Sequence, residues 1–319
     1  MYIRKEIMKK KKEKLQPEIS LSESISRYYL LYLMAIPGVV FFVMFYLIPI
    51  SGIVIAWQDY NIFKGVFGSP WVGWKHFAKM FRYYEFLQIL FNTIMIGLWI
   101  LLAGFPVPVI LALLLHEINV KWYKRFSQTL FFLPRFLSWV IVAQIFYNVL
   151  HPDSGVINIV LTKVFGIEPL FFMAKEAWIQ PLLGISFVWR QAGFTSIVYL
   201  AALSAIDPNL YEAASIDGAG RWAKMTRISL PLLVPTMVIM FLIQAGNFLN
   251  IGFDHVYNMI NPLTWGKGDI LNTYVFRTGL EQGKYSFAAA IGLFQSLVGF
   301  ILIVGGDRIA KKVAGRGFF

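Results

Sequence analysis

Cysteine is absent from this 319-residue chain, and charged residues make up only 14% of it. Without cysteine there are no disulfides and no thiolate metal sites, and the redox compartment stays undecided. The scarcity of charge accompanies 58% hydrophobic residues, more apolar side chain than an ordinary soluble domain can bury. Most of the chain is therefore predicted to face lipid.

Motifs for catalysis and nucleotide binding are also missing. No stretch matches G-x-x-x-x-G-K-[ST], since Lys267 is followed by Gly268 and Lys284 by Tyr285, so we expect the chain not to bind ATP itself. No nucleophile and base stand in a catalytic arrangement, and the histidines are scattered among loops without metal-ligand spacing. These histidines are His76, His116, His151 and His255. We expect no enzymatic activity, no metal and no cofactor in this chain.

Positive charge is present in excess, with a formal net charge of +12. A basic chain suggests nucleic acid as a partner, but the distribution argues against it. Eight of the 29 Lys and Arg residues lie in the first 27 positions, and most others flank apolar segments. Charge placed in this way indicates membrane orientation and contact with membrane lipid rather than a phosphate-binding surface.

Six apolar segments are long enough to cross a hydrocarbon core of about 30 Å as helices. The predicted spans are 29–57, 86–115, 127–150, 178–206, 232–253 and 285–306. The predicted fold class is all-α, a polytopic membrane protein with a transmembrane domain over residues 29–308. A basic tail, 1–28, precedes this domain, and a short tail, 309–319, follows it.

An even number of spans places both termini on the same side of the membrane. That side would carry eighteen Lys and Arg residues, and the opposite side nine. Because positive charge is retained in the cytoplasm, the termini and the loop 207–231 are predicted to be cytoplasmic. We therefore expect a multi-pass protein of the bacterial cytoplasmic membrane.

The loop 207–231 contains clear helix signals. Asp207 is a good N-cap, Pro208 suits the first helical position, and Gly218 is a typical stop, which predicts a helix from Pro208 to Asp217. A second helix is predicted from Arg221 to Ser229, ending where Pro231 opens the next apolar segment.

Small residues cover one face of the first of these helices. Leu210, Ala213, Ala214 and Asp217 follow each other at helical spacings, and Glu212 lies at the rim. A face of this kind lets a partner surface approach closely, with the carboxylate available for an ion pair.

The wider pattern of the loop resembles a known motif. Glu212-Ala213-Ala214, Gly218 and the later Ile228, Leu230 and Pro231 are similar to the EAA loop in permease subunits of bacterial ATP-binding-cassette importers. Asp217-Gly218-Ala219 also matches the version found in sugar importers. The resemblance implies that the first helix couples the permease to an ATPase. The coupling residues it implies are Leu210, Glu212, Ala213, Ala214, Asp217, Gly218 and Ala219.

Other runs extend the resemblance over nearly all of the chain beyond residue 28. They are the run from Asp59 to His76, Leu133-Pro134 to Trp139, Asn272 to Val275, and Tyr285 to Gly292. They are similar to a branch that imports oligosaccharides released from polysaccharides such as pectin and alginate. One departure is Arg135, where this branch usually has His, so a role for an imidazole there is in doubt.

The resemblance also implies partners. These are a second, homologous permease forming a heterodimer, two ATPase subunits that would hold ATP and Mg, and an extracytoplasmic solute-binding protein. Nucleic acid is not among them.

Polar residues inside the predicted spans are candidates for a substrate path, because charge within a membrane is costly. Arg190 lies near the centre of span four beside Gln191, and it could line the path or be satisfied structurally. Arg135 is expected to reach the cytoplasmic interface by extending its side chain.

Amides form a second group of candidates. Gln244, Asn247, Asn250 and Asp254 follow at intervals of three, three and four, which predicts a polar stripe on one helix face, and Gln295 is a weaker candidate in span six. Pore lining and hydrogen bonding between helices both explain such a stripe.

Two other functions remain open. An ion-coupled secondary sugar transporter would need an ion site and often an inverted repeat, but no acidic residue lies deep in a span and no repeat is evident. A membrane-embedded glycosyl-transfer enzyme would need grouped carboxylates. Asp59, Glu85 and Asp153 are too isolated to serve.

Overall fold

A computed structural model describes residues 21–314, and every regular element in that range is helical. The predicted tails fall partly outside the described residues, at 1–20 and 315–319. The principal helices are α1 (Leu21–Phe42), α2 (Lys75–Arg82), α3 (Tyr84–Gly104), α4 (Pro106–His116), α5 (Lys121–Phe132), α6 (Trp139–Val149), α7 (Val156–Phe165), α8 (Glu176–Ser204), α9 (Pro208–Ile216), α10 (Arg221–Lys224), α11 (Leu230–Gly246), α12 (Phe253–Met259), α13 (Leu271–Phe276) and α14 (Tyr285–Ala314).

Four described helical segments are long and apolar enough to cross a membrane. They are Ile25–Trp57, Tyr84–His116, Arg221–Gly246 and Tyr285–Arg308. A fifth span is possible if the bent pair Lys121–Phe136 and Trp139–Val149 counts as one. The 29-residue helix α8 is about 43 Å long at 1.5 Å per residue, but Arg190 and Gln191 lower its hydropathy. The six-span count therefore stays a prediction.

The predicted span 127–150 is not a single straight helix, because the chain bends by 106° between α5 and α6. Leu133–Phe136 forms a 3₁₀ turn, and Leu137 and Ser138 are extended. Pro134 explains the interruption, since it has no N–H to donate and its ring crowds the preceding turn. The Ser138 hydroxyl then accepts a hydrogen bond from the Ile141 N–H at 3.3 Å, which caps the start of α6.

Residues 21–54 belong to a first compact unit. Its helix α1 continues through a π-helical turn, Val43–Leu47, and a short helix that contains Pro49. Nearly every side chain described in this unit is exposed, although most of them are apolar. Its backbone departs from helical geometry at Tyr28. Residues 21–27, which the sequence placed in the N-terminal tail, are helical.

The second unit, which begins at Ile55, is built around α8. This helix packs mainly against α3 and α4. One core cluster surrounds Ile96 and Leu183, and another surrounds Tyr199 and Leu233. Burial of such side chains contributes about 1.5–3 kcal/mol each, so α8 is held firmly along much of its length.

An ion-pair network ties the segment between α12 and α14 to α3. The Asp269 carboxylate is 3% exposed and pairs with Arg277, whose guanidinium also lies 3.5 Å from Glu85. Arg277 stacks over the rings of Trp265 and Tyr274 at 5.1 and 5.5 Å. A buried charge needs this kind of compensation, so the network fixes the position of the segment.

Candidate functional site: an elbow and a cavity

The short helix α9 begins and ends with well-formed caps. The Asp207 carboxylate accepts a hydrogen bond from the Asn209 N–H at 2.9 Å, and Pro208 occupies the first turn. At the other end Gly218 has a φ of +79°, a left-handed conformation that glycine adopts without strain. The helix ends at Ile216, one residue before the predicted end at Asp217, which is its C-cap.

Two backbone hydrogen bonds close the C-terminus of α9. The Gly218 N–H donates to the Ser215 carbonyl at 3.1 Å, and the Ala219 N–H donates to the Ala214 carbonyl at 2.8 Å. This pair of bonds is a Schellman motif, which satisfies helix-end carbonyls that would otherwise lack partners. Asp217, Gly218 and Ala219 therefore have a conformational role that the sequence pattern encodes.

Side chains connect α9 to the helix that follows it. The Tyr211 hydroxyl and the buried Ser229 hydroxyl share a hydrogen bond of 2.9 Å. The Lys224 ammonium donates to the Ser215 hydroxyl at 2.6 Å. A force on α9 would therefore be passed to the next helix through fixed contacts.

The sequence predicted that the second helix of the loop ends at Ser229, before Pro231. In the structure this helix continues past Pro231. α10 passes through a π-helical turn, Met225–Ser229, and continues directly into α11. The wider π turn relieves the clash between the Pro231 ring and the carbonyl four residues earlier. The segment from α9 to α11 is thus an elbow, defined here as residues 207–231, whose second arm is the start of an apolar helix.

The elbow exposes both its small-residue face and several apolar side chains. Glu212 and Ala213 are exposed, Ala214 and Ala219 are half-buried, and no residue of α9 is buried. Exposed apolar side chains of the elbow are Leu210 (46%), Ile216 (88%) and Trp222 (73%). Apolar exposure of this extent beside a small-residue face is typical of a surface that a partner covers.

A cavity of about 850 Å³ lies beside α11, α13 and α14, and its lining is mainly apolar. Asn247, Asn250, Asn272 and Gln295 all line it. The Gln295 amide donates to the Asn272 side-chain oxygen at 2.8 Å, and the Asn272 amide donates to the Asn250 side-chain oxygen at 3.2 Å. The chain of amides places polar groups in the wall of this mainly apolar cavity, although Gln295 and Asn272 also donate to the Leu249 and Ile251 carbonyls.

The predicted helical stripe is only partly realised. α11 ends at Gly246, so Asn247 and Asn250 follow the helix in turns, and Asp254 lies on α12. Gln244 bonds to the Ile100 carbonyl of α3 at 3.1 Å and is not part of the cavity lining. Asn272 was not among the predicted path residues, and its place in a motif of the resemblance was the only signal for it.

Arg190 and Gln191 lie on α8, outside the lining of this cavity. The Arg190 Nε donates to the Leu137 carbonyl at 2.9 Å, and its guanidinium lies 4.4 Å from the centre of the Trp139 ring. Trp139 also stacks on His255 at a centroid distance of 4.0 Å, and His255 shares a hydrogen bond of 2.9 Å with Ser186. The guanidinium is thus fixed beside the break between α5 and α6.

No three metal-ligand side chains come together among the residues that the structure describes. The described geometry brings together an exposed small-residue helix face, a cavity with amides in its wall and an arginine held beside a helix break.

Comparisons with known proteins agree with this geometry. A family profile described as the binding-protein-dependent transport system inner membrane component matches residues 104–315. The polygalacturonan/rhamnogalacturonan transport system permease protein YteP of Bacillus subtilis (strain 168) is 43% identical over 91% of this chain and 90% of its own length. The arabinooligosaccharides transport system permease protein AraP of the same strain is 30% identical over 89% of this chain.

A solved structure has the same fold. The chain in a bacterial alginate ABC transporter, in complex with an alginate pentasaccharide-bound periplasmic protein, superposes with a TM-score of 0.85 and 35% sequence identity. The match covers 93% of this chain and 99% of that one. This chain therefore belongs to the family of binding-protein-dependent transport system inner membrane components, the permeases of ABC importers.

Proposed function

We propose that this chain is one of two permease subunits of an ATP-driven importer that moves oligosaccharides into the cytoplasm. The observation that carries the proposal is the elbow. Its helix α9 is capped at both ends, exposed along its small-residue face and bonded to the helix that leads into α11. A protruding, rigid helix of this kind can transmit movement from a separate protein.

The mechanism requires partners that supply energy and substrate. Two ATPase subunits would bind ATP and Mg, since this chain has no phosphate-binding loop. Closure of the ATPase pair would push on α9 and favour a state in which the path opens outward, and hydrolysis would restore the inward state. The coupling depends on contacts at the elbow that differ between the two states.

The remaining partners follow from the direction of transport. A solute-binding protein outside the cytoplasmic membrane would deliver the sugar, and a homologous permease would form the other half of the path. With both termini cytoplasmic, the elbow would face the ATPases.

An oligosaccharide is the substrate class that the cavity suits best. Its amides both donate and accept hydrogen bonds, as sugar hydroxyls require. Similar proteins are named for transport of polygalacturonan/rhamnogalacturonan, arabinooligosaccharides and the acidic polysaccharide alginate. These names support the proposal that the substrate is a fragment of a complex polysaccharide. Asn247, Asn250, Asn272 and Gln295 are the residues that we propose to contact the sugar.

Reversing the charge of Glu212 tests the coupling role. In the complete importer, reconstituted with its solute-binding protein, we expect Glu212→Lys to lower transport-coupled ATP hydrolysis roughly tenfold or more. The substitution would place a positive charge where a carboxylate pairs with the ATPase surface, so that charge would be repelled or left unpaired. The permease should still reach the membrane and purify with its partners.

Glu168→Lys is the matched control, because Glu168 is an exposed carboxylate distant in sequence from the elbow. We expect this variant to transport and hydrolyse ATP at the rate of the unsubstituted importer. Unchanged uptake in Glu212→Lys would remove the elbow carboxylate from the mechanism.

A further inference from the structure

The break between α5 and α6 lies directly against the middle of α8. Arg190 is the fifteenth of the 29 residues of α8, and its Nε bonds to the Leu137 carbonyl inside the break. A Cβ on Gly193, one turn later, would lie 1.9 Å from the Phe131 carbonyl oxygen. The bent segment therefore approaches α8 at backbone distance, and this contact is about 21 Å from either end of the helix.

Two guanidinium groups meet on this face of α8. Arg190 lies 4.4 Å over the ring of Trp139, and Arg135 lies 5.3 Å over the ring of Phe194, one helical turn beyond Arg190. Because Phe194 is one turn from Arg190, the like charges of Arg135 and Arg190 lie beside neighbouring turns of α8 and repel each other. Both side chains are half-buried, each held in place by an aromatic ring.

Neither guanidinium has an acidic partner among the described residues. The five ion pairs within residues 21–314 involve other residues, and Arg190 gives one described hydrogen bond, from Nε. A guanidinium carries five N–H donors, so most of the donors of both groups remain for another acceptor. If α8 crosses the membrane, as the sequence predicts, two like charges near its middle are costly unless an anion or water neutralises them.

We propose that Arg135 and Arg190 form an anion site that binds a carboxylate of an acidic oligosaccharide during translocation. This proposal rests on the oligosaccharide import proposed above, and it adds the charge of the substrate. A planar carboxylate accepts two parallel hydrogen bonds from one guanidinium, and the second guanidinium adds further attraction. The aromatic rings fix both groups in advance, so little side-chain freedom is lost on binding.

The site discriminates by charge, whereas the amide cavity recognises hydroxyls. A neutral sugar crossing the same path can accept hydrogen bonds from the two guanidinium groups, but it leaves them without a counter-charge. Arg135 and Arg190 are therefore specificity-determining residues for acidic sugars in this permease.

A matched pair of substrates tests the proposal. Trigalacturonate and its fully methyl-esterified form have the same sugars and differ in charge. In proteoliposomes with the complete importer and saturating solute-binding protein, we expect Arg190→Gln and Arg135→Gln each to slow uptake of trigalacturonate roughly tenfold or more, the effect of one lost charge-assisted hydrogen bond. Uptake of the methyl ester should change less than about twofold, since no charged bond is lost.

Arg125→Gln is the control, because it removes one positive charge from an exposed position on α5. It should leave the ratio of the two uptake rates unchanged. The affinity of the solute-binding protein for each trisaccharide, measured alone, separates its own preference from that of the permease.

Three outcomes would overturn the proposal. They are an equal loss for both trisaccharides, no loss for either, and a failure of the Gln variants to purify with the second permease, which would show that the pair is needed for assembly. Oligosaccharide import itself fails only if the unsubstituted importer moves neither trisaccharide nor any neutral oligosaccharide.

Discussion

At the scale of single residues, glycine determines how closely the elements around α8 can approach. Gly193 lies against the backbone of Phe131, and Gly184 lies against Trp99, where an added Cβ would be 3.0 Å from the Trp99 Cβ. The first contact involves a backbone carbonyl, which cannot move aside as a side chain does. Gly193 is therefore the less replaceable of the two.

Gly193→Ala should destabilise the permease. The added methyl would overlap the Phe131 carbonyl oxygen at 1.9 Å, and the forced shift costs about 2 kcal/mol, typical of overpacking. In a domain of this size that free energy lowers Tm by roughly 4–8 °C. Thermal unfolding of the purified importer in detergent measures it.

Gly305→Ala provides the comparison, because no atom lies within 4 Å of the Cβ it would add. Alanine is favoured over glycine in a helix by about 0.5–1 kcal/mol, so this variant should unfold at the same or a slightly higher temperature. Equal melting temperatures for the two variants would mean that the bent segment does not press on α8 as described.

At the scale of elements, two π turns stand in the same relation to proline. Val43–Leu47 ends two residues before Pro49, and Met225–Ser229 ends two residues before Pro231. Each wide turn accommodates the ring that follows and lets an apolar helix run on without a break. In the elbow this continuity joins α10 to α11, so a movement of α10 would be carried into the apolar helix α11.

The bond between Tyr211 and Ser229 should contribute to that transmission. Tyr211→Phe keeps the ring but leaves the buried Ser229 hydroxyl without its described partner, at a cost of about 1–3 kcal/mol. We expect a looser elbow and a decrease of roughly five- to tenfold in transport-coupled ATP hydrolysis, for an effect of about 1 kcal/mol. ATPase activity measured with and without loaded solute-binding protein reports the coupling.

A double-mutant cycle with Ser229→Ala isolates this bond. The double variant should lose little more than Tyr211→Phe alone, because the unsatisfied hydroxyl is then also removed. Strictly additive losses would mean that the two residues act independently and that the elbow is held together by other contacts.

Local signals in the sequence predicted helix α9 to within one residue, because caps and glycine stops act over a single turn. Asp207, Pro208 and Gly218 each specify backbone geometry at their own position. The all-α class could be predicted equally well, since long apolar runs determine it. What short-range chemistry encodes was therefore predictable.

The break between α5 and α6 could not be read from the sequence in the same way. Pro134 marks it, but Pro106 and Pro108 in the next span upstream leave α3 and α4 within one candidate span. Asn250 and Gln295 were predicted as path residues, but their meeting with Asn272 could not be predicted, because the three residues come from distant parts of the chain. The stripe predicted from spacing assumed that α11 continued past Gly246.

At the scale of the whole molecule, the orientation of the chain determines whether the elbow can meet an ATPase. The absence of cysteine makes this testable, because a single introduced cysteine is then the only thiol in the chain. Suitable positions expose most of their side chains in successive predicted loops. They are Phe67 (104%), Val120 (56%), Phe165 (66%), Trp222 (73%) and Leu263 (68%).

Six spans with cytoplasmic termini require these positions to alternate between the two sides. In intact cells, a membrane-impermeant maleimide should label Phe67→Cys, Phe165→Cys and Leu263→Cys, and it should reach Val120→Cys and Trp222→Cys only after permeabilisation. The pair Phe165 and Trp222 reports on α8 alone, since this helix lies between them and its hydropathy does not identify it as a span. Labelling of both from the same side would mean that α8 does not cross the membrane. Arg190 would then lie away from the membrane interior, and the argument that its charge requires an anion would fail with it.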